Sequence, residues 1–282
     1  MTGDKDIAEV GRLSAVSLGA APLLAFSLFV FRPEISSAAP QTFNTALPVA
    51  QGEFVFREQF VLDQSGNDPA GTAANKAHAE KAGKSERELL ISHIDKTGSL
   101  PRWLDEKGYV SHQSGKWWEG RYSRGGFTHG MTRGFPEPGG RHGDDGLEIG
   151  RKGMEPIAEF VKQAVSDETP FFLWYAPFLP HTPHNPPDRL FNQYQDKVSS
   201  PHVARYYAMC EWFDETCGQL LQHIDQQGLT NNTLIFYVTD NGWIQSEKGN
   251  GYAPRSKRSP YEFGVRTPIM VRWPGKIPAD TT

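Results

Sequence analysis

An α/β fold built on a mostly parallel central sheet, with helices on both faces, is what this sequence predicts. Three observations carry that expectation. Helical and strand-like patterns alternate from residue 86 to residue 273, the order that covers a parallel sheet with helices. Two runs, Phe171-Phe-Leu-Trp-Tyr-Ala176 and Leu234-Ile-Phe-Tyr-Val-Thr239, are almost wholly apolar or β-branched, as strands buried on both faces are. Between them, His202 to Gln227 sets Val203, Tyr207, Cys210, Cys217, Leu221 and Ile224 on one helical stripe, closed by Gly228.

Taken in order, Leu13 to Phe31 carries no charge and admits three readings. It has the apolar core of a secretory signal, with Ser37-Ala-Ala39 as a loose cleavage site. It is just long enough for a membrane anchor. It also suits a buried helix and strand broken at Pro22. Either of the first two would make the protein exported, periplasmic or membrane-anchored. Gln64 to Lys84 reads as an exposed loop, Glu86 to Ile94 and Leu100 to Lys107 as short helices, and Gly108 to Lys116 as a short strand between turns. Arg121 to Gly146 is a long glycine-rich loop, of the length that compact domains reserve for function or disorder. Met154 to Ser166 repeats Ile157, Phe160, Val161 and Val165 at helical spacing, and Pro268 to Trp273 is a last strand.

Size and composition bound the rest. A chain of 282 residues holds one large α/β domain or two small ones. Its 28 glycines and 21 prolines imply many loops, and a net charge of −4 argues against nucleic acid as a partner. Cys210 and Cys217 are seven apart on one helix. They stand about 10 Å apart along its axis, too far for a disulfide, and read as small core residues.

Chemistry gathers where strands are expected to end. Thr239-Asp240-Asn241-Gly242 closes the second apolar run with an acid, an amide and a glycine. In open α/β sheets ligands bind beyond the carboxyl ends of strands, and Asp240 and Asn241 would offer two oxygens to Ca²⁺ or Mg²⁺. The same tripeptide also suits an Asx turn. Pro180-His-Thr-Pro-His184-Asn-Pro-Pro187 holds two histidines in a stiff loop after the first run, placed to protonate a leaving group or simply to face solvent. Lys116, in Gly115-Lys-Trp-Trp118, and Lys257, in a basic run, could together hold a tetrahedral anion. A cation, two lysines and an imidazole around one oxyanion would be a device for breaking sulfate or phosphate esters.

Together these pieces resemble the sulfatase family. The similarity rests on Gly-Tyr…Gly-Lys-Trp at 108–117, Pro-His-Thr-Pro-His at 180–184, the helix from Tyr207 to Gly218, Thr-Asp-Asn-Gly at 239–242, and Lys-x-x-x-Tyr-Glu-x-Gly-Val-Arg at 257–266 with the strand after it. The resemblance implies an alkaline-phosphatase-like α/β domain that hydrolyses sulfate esters of small molecules or carbohydrates on Ca²⁺ or Mg²⁺. It makes Asp240 and Asn241 metal ligands, and Lys116 and Lys257 the sulfate-contacting lysines. His181 becomes the histidine that assists the leaving group. His184 matches only as loop structure, and Arg266 as support for the Lys257 loop.

The sequence also departs from that family. The family's nucleophile is a Cys or Ser in a Cys/Ser-x-Pro-x-Arg run, oxidised to formylglycine, whose hydrate attacks sulfur. No such run occurs in these 282 residues. Nor does a strand ending in Asp-Asp precede residue 100; Asp144-Asp145 falls after the Gly-Lys-Trp element, and Trp118 stands where the family has a histidine. The expectation is therefore an atypical segment at 1–62, a partial sulfatase domain at 63–282, and a weakly held metal. As written the chain is expected to lack turnover, as a truncated, frame-shifted or decayed enzyme would. A phosphoesterase of the same superfamily, a non-catalytic binder of sulfated sugars and an unstable fragment are the alternatives.

Overall fold

A computed structural model describes residues 23–32, 76–77, 79–83, 85–117, 119–134 and 144–279. They fall into two compact units: residues 23–32 with 99–279, and the described part of Ile35–Gly98. The smaller unit holds helix α1 (Glu86–Ile91) and a 3-10 turn at Ile94–Lys96. The Glu88 N–H donates to Ser85 Oγ at 3.1 Å, which caps α1. Residues 76–77 and 79–81 are helical, where the composition had suggested loop.

The larger unit is built on a six-stranded sheet. Its strands are β1 (Leu23–Arg32), β2 (Val110–Gly115), β3 (His129–Gly130), β4 (Phe171–Ala176), β5 (Leu234–Gly242) and β6 (Ile269–Arg272), in the order β3-β2-β4-β1-β5-β6. Strand β2 runs parallel to both β3 and β4, while β1 is antiparallel to β4 and to β5. Hence β2, β3, β4 and β5 all point the same way, and β1 and β6 oppose them. The carboxyl ends of β2, β4 and β5 therefore share one edge of the sheet, the place where open α/β sheets bind ligands. Of the uncharged stretch 13–31, residues 23–31 lie in β1 and the remainder lies outside the described residues. No described helix is long and apolar enough to cross a membrane.

Helices α2 (Leu100–Asp105), α3 (Glu155–Ser166), α4 (Asp188–Tyr194), α5 (Pro201–Gln226) and α6 (Glu262–Val265) complete the unit. One face of the sheet presents Phe171, Leu173 and Tyr175 of β4 with Ile235 and Tyr237 of β5; Phe160 and Val161 of α3 and Met209, Phe213, Leu220 and Ile224 of α5 close over them. Each such side chain stabilises the fold by about 1.5–3 kcal/mol relative to exposure. The opposite face carries Phe172 and Trp174, which meet Phe127 and Trp117 ring to ring.

Several elements differ from the expectation. The buried stripe of α5 runs through Ala204, Tyr206, Met209, Phe213, Cys217, Leu220 and Ile224; of the expected stripe Cys217 and Ile224 are buried, Val203, Cys210 and Leu221 are half-buried, and Tyr207 is 37 % exposed. Two faces of this helix carry apolar side chains, and periodicity alone does not choose between them. Cys217 is buried and Cys210 half-buried, and both are free thiols. Helix α4 was not foreseen, because it buries only Leu190 and follows two prolines. The glycine-rich stretch from Arg121 holds 3-10 turns at Tyr122–Gly125 and Asp145–Glu148 as well as β3; 135–143 lies outside the described residues.

Candidate functional site

Lys116 is the first residue beyond β2, and the turn at Gly115 aims it. Gly115 has φ +85°, and a Cβ there would stand 1.8 Å from the Ala176 carbonyl oxygen. Only glycine accepts both the left-handed backbone and that approach. The Lys116 N–H donates to the same oxygen at 2.6 Å, joining the ends of β2 and β4. Its Nζ then lies 5.5 Å from the centre of the Phe178 ring. The His181 imidazole stacks on the same ring at 4.4 Å, with 21° between the planes. Lys116 and His181 thus share one aromatic platform. His181 Nδ1 is 3.0 Å from the Thr182 carbonyl oxygen, which can only accept, so Nδ1 carries the hydrogen of that contact.

The loop bearing His181 is held by Arg151. Its Nη2 donates to the carbonyls of Phe178, His181 and Pro183 at 3.3, 3.0 and 3.3 Å, and its Nη1 donates to Asn185 Oδ1 at 2.5 Å. The guanidinium also lies over Trp212 at 5.5 Å. Sequence spacing gave no sign of this clamp, since Arg151 lies 27 residues before Phe178. His184 packs inside the loop, 5.6 Å from Tyr206. Burial, assisted by the Arg151 and His202 charges, pushes its pKa down to about 4, so it stays neutral at working pH. That suits the structural part its sequence match implied.

Asp240 and Asn241 close β5. Asn241 Nδ2 donates to the Gly242 carbonyl at 2.9 Å. Gly242 is required by close packing: a Cβ would meet the Phe263 carbonyl oxygen at 2.3 Å. The chain that follows folds back over this strand end, and the Ile244 N–H donates to the buried Ser256 Oγ at 2.5 Å. Lys257 therefore lands above the end of β5, its Nζ 5.7 Å from the centre of the Trp243 ring. Arg255 and Arg258, on either side of Ser256-Lys257, have φ of 60° and 63°, a left-handed conformation that is costly for side chains with a Cβ. Arg266 pairs with Glu262 at 2.7 Å along α6.

These two strand ends meet electrostatically at Asp240. Its carboxyl reaches solvent at the rim, yet the chain crowding it partly desolvates the charge and raises its pKa; the Lys116 and Lys257 ammoniums oppose that shift. The structure thus brings Lys116, Lys257, Asp240 and Asn241 to one edge, with His181 beside Lys116. Phe127 and Trp243 are only 3 % and 5 % exposed and serve as packing. Trp118 lies outside the described residues.

Among the described residues, the donors at this edge do not complete the coordination of a Ca²⁺ or Mg²⁺ ion. Ca²⁺ takes six to eight oxygens, and Asp240 with Asn241 supplies two side-chain donors beside two ammonium groups. On the neighbouring strand, Leu24 and Leu23 are the residues paired with Asn241 and Gly242. No group of three His, Cys, Asp or Glu able to hold a metal occurs among the described residues. Asp144 is engaged elsewhere: its carboxylate accepts from the N–H groups of Arg133, Gly134 and Gly146 at 3.0 to 3.2 Å.

Comparison with known proteins places this chain in a family. The family model described as Sulfatase matches residues 72–282. The N-acetylgalactosamine-6-sulfatase of Canis lupus familiaris is 25 % identical over 246 residues, covering 74 % of this chain and 46 % of that protein. The steryl-sulfatase of Rattus norvegicus is 34 % identical over 119 residues, covering 39 % of this chain and 19 % of that protein. The chain thus spans less than half the length of these relatives. Among solved structures, the PsFucS1 sulfatase from Pseudoalteromonas sp. superposes with a TM-score of 0.51 at 23 % identity, covering 65 % of this chain and 46 % of that one. That likeness supports the fold alone, the alkaline-phosphatase-like fold of sulfatases. With a family model matched over most of its length, this chain belongs to the sulfatase family.

Proposed function

We propose that this chain holds the sulfate group of a sulfated carbohydrate, or of another small sulfate ester, at the edge where β2, β4 and β5 end. One observation carries the reading: Lys116 and Lys257, 141 residues apart, act together on Asp240. Two ammoniums around one partly desolvated place suit a tetrahedral anion, because charge-assisted hydrogen bonds are about twice as strong as neutral ones. In this reading His181, which shares the Phe178 ring with Lys116, is the group that assists the leaving-group oxygen. Relatives of this chain include the N-acetylgalactosamine-6-sulfatases and an ulvan-active sulfatase of Formosa agariphila. Sulfated oligosaccharides are therefore the natural probes.

Binding without turnover is the second half of the reading. The 282 residues contain no Cys/Ser-x-Pro-x-Arg run. Catalytic groups that act as a unit do not contribute additively, so the lysines and the imidazole alone leave little rate. Calorimetry with sulfated oligosaccharides, with and without Ca²⁺, tests the binding. An aryl sulfate chromogen tests turnover. Heat that disappears in Lys257→Ala, with no product formed, supports the proposal. Absence of binding refutes the site, and hydrolysis above the Lys257→Ala background refutes the inactivity.

A further inference from the structure

A second cavity opens at the other end of the same strands. It encloses about 430 Å³ between the edge strands β2 and β3 and helix α3. Val110, the first residue of β2, and Thr169, just before β4, mark its depth. Six residues of β2 separate this end from Lys116, roughly 20 Å at the rise of a strand. The cavity is therefore separate from the lysine edge.

Its chemistry differs as well. His112 and His129 are paired across β2 and β3, and both rings pack on Phe160, at 5.1 and 5.4 Å. His112 is only 6 % exposed, and its Nδ1 has no hydrogen-bond partner among the described residues. A buried polar atom in that state costs about 1–3 kcal/mol. Burial, with the nearby His129, holds the His112 pKa at about 4, so the ring is neutral. His129 is tied to its own chain neighbour, Thr128. Thr128 Oγ1 gives its hydrogen to the Ser111 carbonyl at 2.8 Å, so its 2.9 Å contact with His129 Nδ1 is donated by the imidazole.

The walls and mouth complete the picture. Phe160 and Tyr122 supply ring surface, and Glu159 and Asp167 stand at the exposed mouth. No lysine or arginine lines the cavity. Arg121 covers the Tyr122 ring at 5.2 Å without lining the cavity. An anion would meet two carboxylates and no positive charge here. A flat cation would meet ring faces, the neutral His112 imidazole and two carboxylates.

We propose that the cavity bounded by His112, His129, Phe160 and Glu159 is a binding site for a small aromatic or heteroaromatic organic cation. The ligand's ring lies against Phe160 and Tyr122, and its N–H groups donate to the His112 imidazole and to Glu159. Nothing in this assignment depends on the lysine edge.

Benzamidinium is the probe, with benzoate as the anionic control. The readout is the ¹⁵N–¹H spectrum of the histidine side chains in the full chain. Saturable shifts of His112 and His129 with benzamidinium, and none with benzoate, are expected. Glu159→Gln, an exposed change that leaves the core intact, weakens the binding by about threefold, the size of an exposed ion pair. His112→Phe keeps the ring and removes the acceptor, and weakens it by about tenfold. A benzamidinium titration without saturable shifts overturns the proposal. So does benzoate binding as tightly, or Glu159→Gln binding unchanged.

Discussion

Replacing Gly115 by alanine tests how the sheet builds the lysine edge. The added Cβ would stand 1.8 Å from the Ala176 carbonyl oxygen and 2.8 Å from the Pro177 nitrogen, both backbone atoms that no rotamer can move. A left-handed φ of +85° adds about 1 kcal/mol for a residue with a Cβ. Forcing the strand ends apart adds about 1–3 kcal/mol, as overpacking does. Parting them also stretches the 2.6 Å bond from Lys116 N–H to Ala176 O, worth about 1 kcal/mol. The total is about 3–5 kcal/mol. For a domain of this size that lowers Tm by roughly 6–20 °C. The same displacement moves Lys116 off Phe178, so affinity for a sulfated oligosaccharide should fall with stability. Thermal unfolding by circular dichroism and calorimetric titration read the two effects. A Gly115→Ala protein with Tm within about 2 °C of the parent and unchanged sulfate affinity would refute the reasoning.

Two further outcomes follow from single residues. Arg151→Met keeps the volume but removes four hydrogen bonds to the His181 loop; stability should fall by about 2–3 kcal/mol, and amide exchange at 178–185 should quicken ahead of the core, whereas parental exchange there would contradict the clamp. His112 has a folded pKa of about 4, pushed below its ordinary 6.5 by burial and then by His129. A lowered histidine pKa favours the neutral ring, so its stabilisation is complete above pH 6.5 and is lost as pH falls toward 4, by roughly 3 kcal/mol. Denaturant unfolding at pH 7 and pH 4 should therefore show a smaller loss for His112→Phe than for the parent, and equal losses would contradict it.

Much of the architecture was legible because it rests on local pattern. The apolar runs at 171–176 and 234–239 became β4 and most of β5, and the long helix was placed to within a residue at each end. Where two candidate residues sit in the fold was legible, because each follows a strand or a glycine: Lys116 after Gly115, Asp240 near the end of β5. What escaped was long-range. Arg151 works through carbonyls of a loop far along the chain, and backbone acceptors leave no trace in side-chain identity. Phe178 read as one more apolar residue after β4, though its ring carries both Lys116 and His181. The pairing of β1 between β4 and β5 is likewise a matter of topology that one chain's periodicity does not encode. The cavity at His112 went unread because the histidine sits inside a strand, where its neighbours across the sheet are unknown until the strands are paired.

The central claim is that Lys116 and Lys257 serve a single oxyanion pocket. A double-mutant cycle measures it most directly, with Lys116→Met, Lys257→Met and the pair titrated against one sulfated oligosaccharide. Each single change should cost about 1.5–3 kcal/mol, and the pair should depart from additivity by at least about 0.5 kcal/mol. Strictly additive effects, or either single variant binding like the parent, would contradict it.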